Sequence, residues 1–297
     1  MHVNEVKTDA ALVRRLLAAQ FPTWAHLPVE PVRAGGTVNA IYRLGADMAV
    51  RLPRIEGGSR DVATEHRWLP HLAPHLPFAV PEPLAEGAPA EGYPWAWSVC
   101  RWLDGENPEA GSGSVRLAAE LAHFVGALRS ADAEGGPPAF RSERLDSRDA
   151  ATRDALDALH GVIDTSAAEA AWEEALRAPG RQGAATWVHG DLQPGNVLIS
   201  GGRLAAVIDF GCMGLADPAV DLIAAWYLLT AQARRAFRTA LEADDASWAR
   251  GRGWALSIAL MELSYYRTTN PVMAATARHV VGEILDDHRP AETGSTA

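Results

Sequence analysis

The chain has 297 residues, 48% of them hydrophobic and 22% charged, which is room for two lobes with a core each and an ordinary composition for a soluble globular protein. A net charge of −10 and a pI near 5.5 argue against a nucleic-acid or anionic-membrane partner, and two cysteines, Cys100 and Cys212, exclude a disulfide framework and a zinc set. The apolar runs are too short to span a bilayer and no charged-then-apolar signal pattern opens the chain, so a cytoplasmic placement is expected.

Residues 8–20 place Leu12, Leu16 and Leu17 on one helical face, with Thr8 at the cap position. A strand is predicted over 29–32, then a turn-rich loop over 34–39. Strands follow over 40–44 and 48–52, joined by a tight turn at Gly45-Ala46-Asp47. A helix over about 60–72 contains Glu65, and residues 74–94 are proline-rich loop with short strands. Residues 95–103 are apolar and β-prone and end in the turn Asp104-Gly105-Glu106.

Beyond that turn Ala, Leu and Glu dominate and the spacing becomes helical. Helices are predicted over 115–129, 148–160 and 167–177. A strand ends at Val188, and a hairpin of strands follows over 197–199 and 204–208. Asp217-Pro218 opens another helix as cap and first position, and three more are predicted over 231–241, 247–268 and 271–285. The class is therefore α+β. We place the boundary between a strand-rich lobe, 1–103, and a helical lobe, 104–297, with a nucleotide expected in the cleft between them.

The chemistry gathers in the hairpin. His189, Asp191, Leu192 and Asn196 reproduce the H-x-D-L-x-x-x-N spacing of a kinase catalytic loop, and Asp209-Phe210-Gly211 supplies a D-F-G signature one hairpin later. A polar turn alone can match the first pattern; the second, in the right order, makes the pair specific. Phosphoryl transfer needs positioning and charge neutralisation. Asp191 would accept the hydrogen bond of an attacking hydroxyl, while Asn196 and Asp209 would offer hard oxygens to Mg2+. His189 is expected to brace the loop.

With Asp217-Pro218-Ala219-Val220-Asp221-Leu222 added, these segments resemble the aminoglycoside phosphotransferase family, a group that includes macrolide phosphotransferases, choline kinase and homoserine-type small-molecule kinases. Gly190 follows the histidine where protein kinases usually carry arginine, which favours the small-molecule branch. The resemblance runs from Ala34 to about Leu285 and implies a protein-kinase-like bilobal fold. It also implies that Asp221 hydrogen-bonds the catalytic loop. It puts a basic residue of the first lobe on the α/β-phosphates, paired with a helix glutamate. Arg51 in Ala49-Val50-Arg51-Leu52-Pro53 holds that place instead of lysine, and Glu65 is its expected partner. Lys7 is the only lysine of the chain.

Gly35, Gly36, Thr37 and Asn39 lie where a phosphate-covering loop belongs. They do not form G-x-G-x-x-G, and the absence of G-x-x-x-x-G-K-[ST] excludes a Walker-type NTPase. Residues 100–103 match the hinge, with the Arg101 carbonyl and Leu103 amide facing the base; backbone bonds leave ATP and GTP equally open. Trp226, Glu262 and Tyr266, with Tyr227 and Tyr265, are candidates for an acidic, aromatic acceptor pocket, although aromatics at helical spacing more often pack a core. His160, His279 and His288 read as surface residues.

The resemblance implies a magnesium-dependent kinase moving the γ-phosphate of ATP or GTP to a small-molecule hydroxyl, favouring an aminoglycoside or macrolide acceptor, and a monomer or homodimer. The alternatives are a metabolic kinase for an amino alcohol, homoserine-like compound or sugar, and a nucleotide-binding pseudokinase. No A-P-E-type activation segment follows the D-F-G, which disfavours a protein kinase.

Overall fold

A computed structural model describes residues 5–32 and 38–288. Gly35, Gly36 and Thr37 lie outside the described residues. The first lobe is built on a five-stranded antiparallel sheet, in the order β1-β2-β3-β5-β4. Its strands are β1 (Val29–Pro31), β2 (Asn39–Leu44), β3 (Met48–Pro53), β4 (Pro83–Gly87) and β5 (Trp97–Arg101). Helix α1 (Ala10–Gln20) lays Leu12, Val13, Leu16 and Leu17 against the apolar residues of that sheet, including Tyr42, Val50, Trp97 and Val99. Its cap is Asp9 rather than Thr8: Asp9 Oδ1 accepts the Leu12 N–H at 2.7 Å, whereas Thr8 Oγ1 accepts the Tyr42 hydroxyl at 3.0 Å.

Pairing of Ile41 with Arg51 and of Arg51 with Ser98 fixes Arg51 in the middle of the sheet. Helix α2 (Glu56–Leu72) begins four residues before the predicted Arg60. Gly57 and Gly58 hide that start, being poor helix formers. At Gly58 a Cβ would come within 3.1 Å of Pro53 and Val38, so the first turn lies directly on the end of β3.

The second lobe carries α3 (Val115–Ser130), α4 (Asp149–Ala158) and α5 (Thr165–Arg177), then two short hairpin-like pairs. Strand β6 (Thr186–Val188) pairs with β9 (Gly214–Ala216), and β7 (Val197–Ser200) with β8 (Arg203–Val207), both antiparallel. The chain closes with α6 (Ala224–Leu228), α7 (Ala231–Ala240), α8 (Asp245–Tyr266) and α9 (Pro271–His288). The segment opened by Asp217-Pro218 is a 3-10 helix over Pro218–Ile223, continued by α6. Trp172, Trp187, Trp226 and Trp254 fill this lobe's core, which also takes Leu69 and Leu72 from the end of α2.

Residues 102–114 connect β5 to α3. Reciprocal bonds between Glu106 and Ile199 (2.9 and 2.8 Å) tie this connector to the β7–β8 hairpin, and the bond from Val207 N–H to the Ala79 carbonyl (3.0 Å) holds the hairpin against the first lobe. Among the described residues no helix is long and apolar enough to cross a membrane.

Candidate active site

The loop after β6 is set from below by a buried carboxylate. Asp221, fully buried, accepts the backbone N–H of His189 (2.9 Å) and of Gly190 (2.8 Å). Burial pushes its carboxyl up, and the two amides oppose that shift. Gly190 turns at φ +82°, and a Cβ there would come within 2.7 Å of the Cys212 carbonyl, so glycine is required on both counts. The Asp191 N–H donates to His189 Nδ1 (3.2 Å), which leaves the ring proton on Nε2 to meet the Ile208 carbonyl at 3.0 Å. His189 therefore ties the loop to the end of β8 and packs edge-on against Phe210, with centroids 4.7 Å apart.

Asn196 Nδ2 donates to Asp191 Oδ2 (2.9 Å) and to its carbonyl (2.8 Å), so the Asn196 side-chain oxygen points away from Asp191. The Ile208 N–H donates to the Asn196 carbonyl (2.9 Å), which brings Asp209 beside Asn196. Asp209 sits at φ +61°, its carboxylate 41% exposed. Across the cleft, Arg51 Nη1 meets Glu65 Oε2 at 2.6 Å and Nη2 meets Asp209 Oδ1 at 2.9 Å. Glu65 Oε1 accepts the Phe210 N–H at 2.9 Å. One guanidinium and one buried carboxylate thus join β3, α2 and the D-F-G turn. Burial opposes the Arg51 charge, yet Glu65 and Asp209 raise its pKa overall. Asp61, one turn before Glu65, lies 3.0 Å from where a Cβ on Gly211 would stand; burial, with Glu65 and Asp209 beside it, pushes its carboxyl up to about 7.

Magnesium fits these donors: the outward oxygen of Asn196 and the exposed carboxylate of Asp209 are hard ligands on adjacent backbone, and an ion shared with phosphate needs few protein ligands. Among the described residues no larger cluster of His, Cys, Asp and Glu competes for it.

On the far side of Asp191, Gln193 Nε2 bridges Asp191 Oδ1 (3.2 Å) and Glu262 Oε1 (2.9 Å), and the Tyr227 hydroxyl donates to Glu262 Oε2 (2.9 Å). Burial pushes the Glu262 carboxyl up to about 7, opposed by the Gln193 bond and reinforced by Asp191. Arg141 Nη1 lies 3.2 Å from Asp191 Oδ1 and donates to the Gly190 carbonyl. Tyr266, one turn beyond Glu262, is buried and meets Tyr265 edge-on at 4.8 Å.

Trp226 is not brought to the site. It is fully buried, its indole N–H donates to Asp287 (3.0 Å), and its ring lies 4.8 Å from Trp248. Arg101 turns its side chain outward to Asp47 (2.8 Å) and Glu82 (3.4 Å), while the N–H groups of Arg101 and Trp102 are taken by the Glu82 and Asp47 carbonyls. Leu103 follows just beyond that register, and Asn39 opens β2 opposite Pro53. His279 is half-buried with Gly111 against its ring, and His288 Nδ1 is 2.9 Å from Glu174, so neither is a bare surface residue. Sequence reasoning missed Asp61, Arg141 and the bridging role of Gln193. The i, i+4 spacing from Asp61 to Glu65 was the only signal for the first, and nothing local marks Arg141.

Residues 29–254 match the model of the phosphotransferase enzyme family. No protein of curated function matches the chain in sequence. Among solved structures, wild-type aminoglycoside 2'-phosphotransferase-IIIa in its GDP complex superposes with a TM-score of 0.73 at 19% identity, over 95% of this chain and 100% of that chain. The streptomycin-ATP ternary complex of APH(2")-IIa gives 0.59 at 16%, over 95% and 97%. The macrolide 2'-phosphotransferase MphH from Brachybacterium faecium, as apoenzyme, gives 0.58 at 21%, over 94% and 99%. These likenesses show a shared kinase-like fold, and with the family match over most of its length the chain belongs to the phosphotransferase enzyme family.

Proposed function

We propose that the protein is a magnesium-dependent O-phosphotransferase that moves the γ-phosphoryl of ATP or GTP onto a hydroxyl of a small molecule. The observation that carries this reading is the bridge from Arg51 to Glu65 and Asp209, which sets a cation and an exposed carboxylate opposite Asp191 and Asn196. The base of the nucleotide lies against the backbone of Arg101 and Leu103. Gly35, Gly36, Thr37 and Asn39 are assigned to binding of the nucleotide phosphates. Arg51 supplies the phosphate-facing guanidinium. Asn196 and Asp209 would hold magnesium, which would offset phosphate charge when bound. Asp191 accepts the hydrogen bond of the acceptor hydroxyl and takes its proton as the new O–P bond forms and the bond from the γ-phosphorus to the bridging oxygen breaks, with ADP or GDP as the leaving group. Asp221 and His189 hold the loop that aims Asp191. Glu262 and Tyr266 face the acceptor.

The neighbours named for aminoglycosides and macrolides make an antibiotic hydroxyl the first acceptor to test. A second reading, a metabolic kinase for an amino alcohol, homoserine-like compound or sugar, is favoured by one observation: Arg141 beside Asp191 opposes a polycation. Phosphate transfer from labelled MgATP and MgGTP to acceptors of both kinds, with Asp191→Ala as control, tests the proposal. Transfer lost in the variant supports it, and transfer unchanged in Asp191→Ala refutes it.

A further inference from the structure

The acceptor side of Asp191 carries two opposite charges on one hydrogen-bonded chain. Arg141, Asp191, Gln193 and Glu262 are linked in that order by contacts of 3.2, 3.2 and 2.9 Å. The Arg141 side chain is 12% exposed, and both its bonds use Nη1, to the Gly190 carbonyl and to Asp191. Its Nε and Nη2 donate to no protein group among the described residues. The loop that carries Arg141 is docked on the segment after the D-F-G: the Phe140 N–H donates to the Cys212 carbonyl at 3.2 Å and the Leu215 N–H to the Pro137 carbonyl at 2.7 Å. Phe140 is 70% exposed, with the Arg141 guanidinium 5.5 Å from its ring.

A charged fork with two free donors calls for an anion. A planar carboxylate satisfies it bidentately, a neutral molecule leaves a nearly buried guanidinium short of partners, and a polycation meets like charge next to the reacting group. Glu262 gives the opposite preference on the other side of the same aspartate. We propose, building on the phosphotransferase reading, that the acceptor is a small hydroxylated zwitterion. Its anionic group lies on Arg141 Nε and Nη2, its ammonium on Glu262, and its hydroxyl on Asp191 between them. Arg141 is then a specificity-determining residue, and Phe140 an open wall for the acceptor's carbon skeleton.

The test is a panel sorted by charge: L-serine and L-homoserine as zwitterions, glycerate as an anion, choline as a cation, glucose as a neutral sugar and kanamycin as a polycation. Transfer from MgATP and direct calorimetric binding are both read. The zwitterions should lead the panel in kcat/KM by about 100-fold, the worth of a well-made charged hydrogen-bond pair. Arg141→Ala should remove that lead and raise KM more than it lowers kcat, and Arg141→Lys should restore part of it. Preference of the wild type for kanamycin, choline or glucose overturns the inference and leaves the phosphotransferase reading standing. So does a zwitterion that neither binds nor accepts phosphate, or an Arg141→Ala variant that shifts every acceptor equally. Failure of MgATP to bind at all would instead refute the phosphotransferase reading itself.

Discussion

Glu262→Gln isolates the electrostatic cost built into the acceptor side. Burial raises the Glu262 carboxyl from 4.5 to about 7, with the Asp191 charge adding and the Gln193 and Tyr227 bonds opposing. A raised acid pKa means that the native state keeps a proton the unfolded chain has already released. The contribution of Glu262 to stability is therefore full below pH 4.5, is lost as pH rises through the window between 4.5 and about 7, and is flat above it. The shift corresponds to a ceiling of about 3 kcal/mol, and partial exposure of the residue brings the expected slope nearer 2 kcal/mol. Glutamine holds the neutral form at every pH. Urea unfolding of both proteins at pH 5, 6, 7 and 8 should show the variant gaining about 2 kcal/mol on the wild type across the range. Asp61 and the other titrating groups that do not contact Glu262 cancel in that difference. A gap that stays constant with pH to within about 0.5 kcal/mol would show that Glu262 titrates alike in the folded and unfolded chain, and the argument from its burial would fail.

Asp221→Ala strands two buried amides of the catalytic loop, so unfolding free energy should fall by about 2–5 kcal/mol, with turnover of the surviving folded enzyme falling further still; denaturation and kcat measured side by side check this. Arg51→Ala leaves the buried Glu65 carboxylate uncompensated and should cost about 3–5 kcal/mol, whereas Arg51→Lys keeps a charge but not the fork and should raise KM for MgATP about tenfold at a smaller stability cost. Trp226→Phe should cost about 1–2 kcal/mol through loss of the Asp287 bond and leave acceptor KM unchanged; a shifted KM would return that residue to the acceptor site.

What the sequence made legible is what local periodicity and fixed spacing encode. Alternation over 40–52 places the β2–β3 hairpin, and the helical stripes of the second lobe give α3, α5, α8 and α9 to within a few residues. Strand β9 is three residues long, too short for any period, and is held by pairing with β6, a contact that only folding creates. Arg141 fails for the same reason: it lies in an irregular stretch, and its partners Gly190 and Asp191 are some fifty residues away. Trp226 shows the limit of composition. Successive residues on a helix point about 100° apart, so Tyr227 reaches Glu262 while Trp226 turns to Asp287 and Trp248. The sequence announces two aromatics there and is silent on which one reaches Glu262.

The arginine in place of lysine at position 51 has a geometric consequence of its own. Two nitrogens of one planar group are divided between a buried glutamate of α2 and the aspartate of the D-F-G turn. Glu65 spends its second oxygen on the Phe210 amide, so it cannot move without pulling the turn with it. A phosphate arriving at Arg51 competes with Asp209, the more exposed of the two carboxylates, and not with Glu65. On the proposed function, nucleotide binding is expected to release Asp209 while leaving α2 anchored. An ammonium, a point charge without a fork, has no fixed way to separate those two roles, and for this reason the substitution is compatible with an active phosphotransferase.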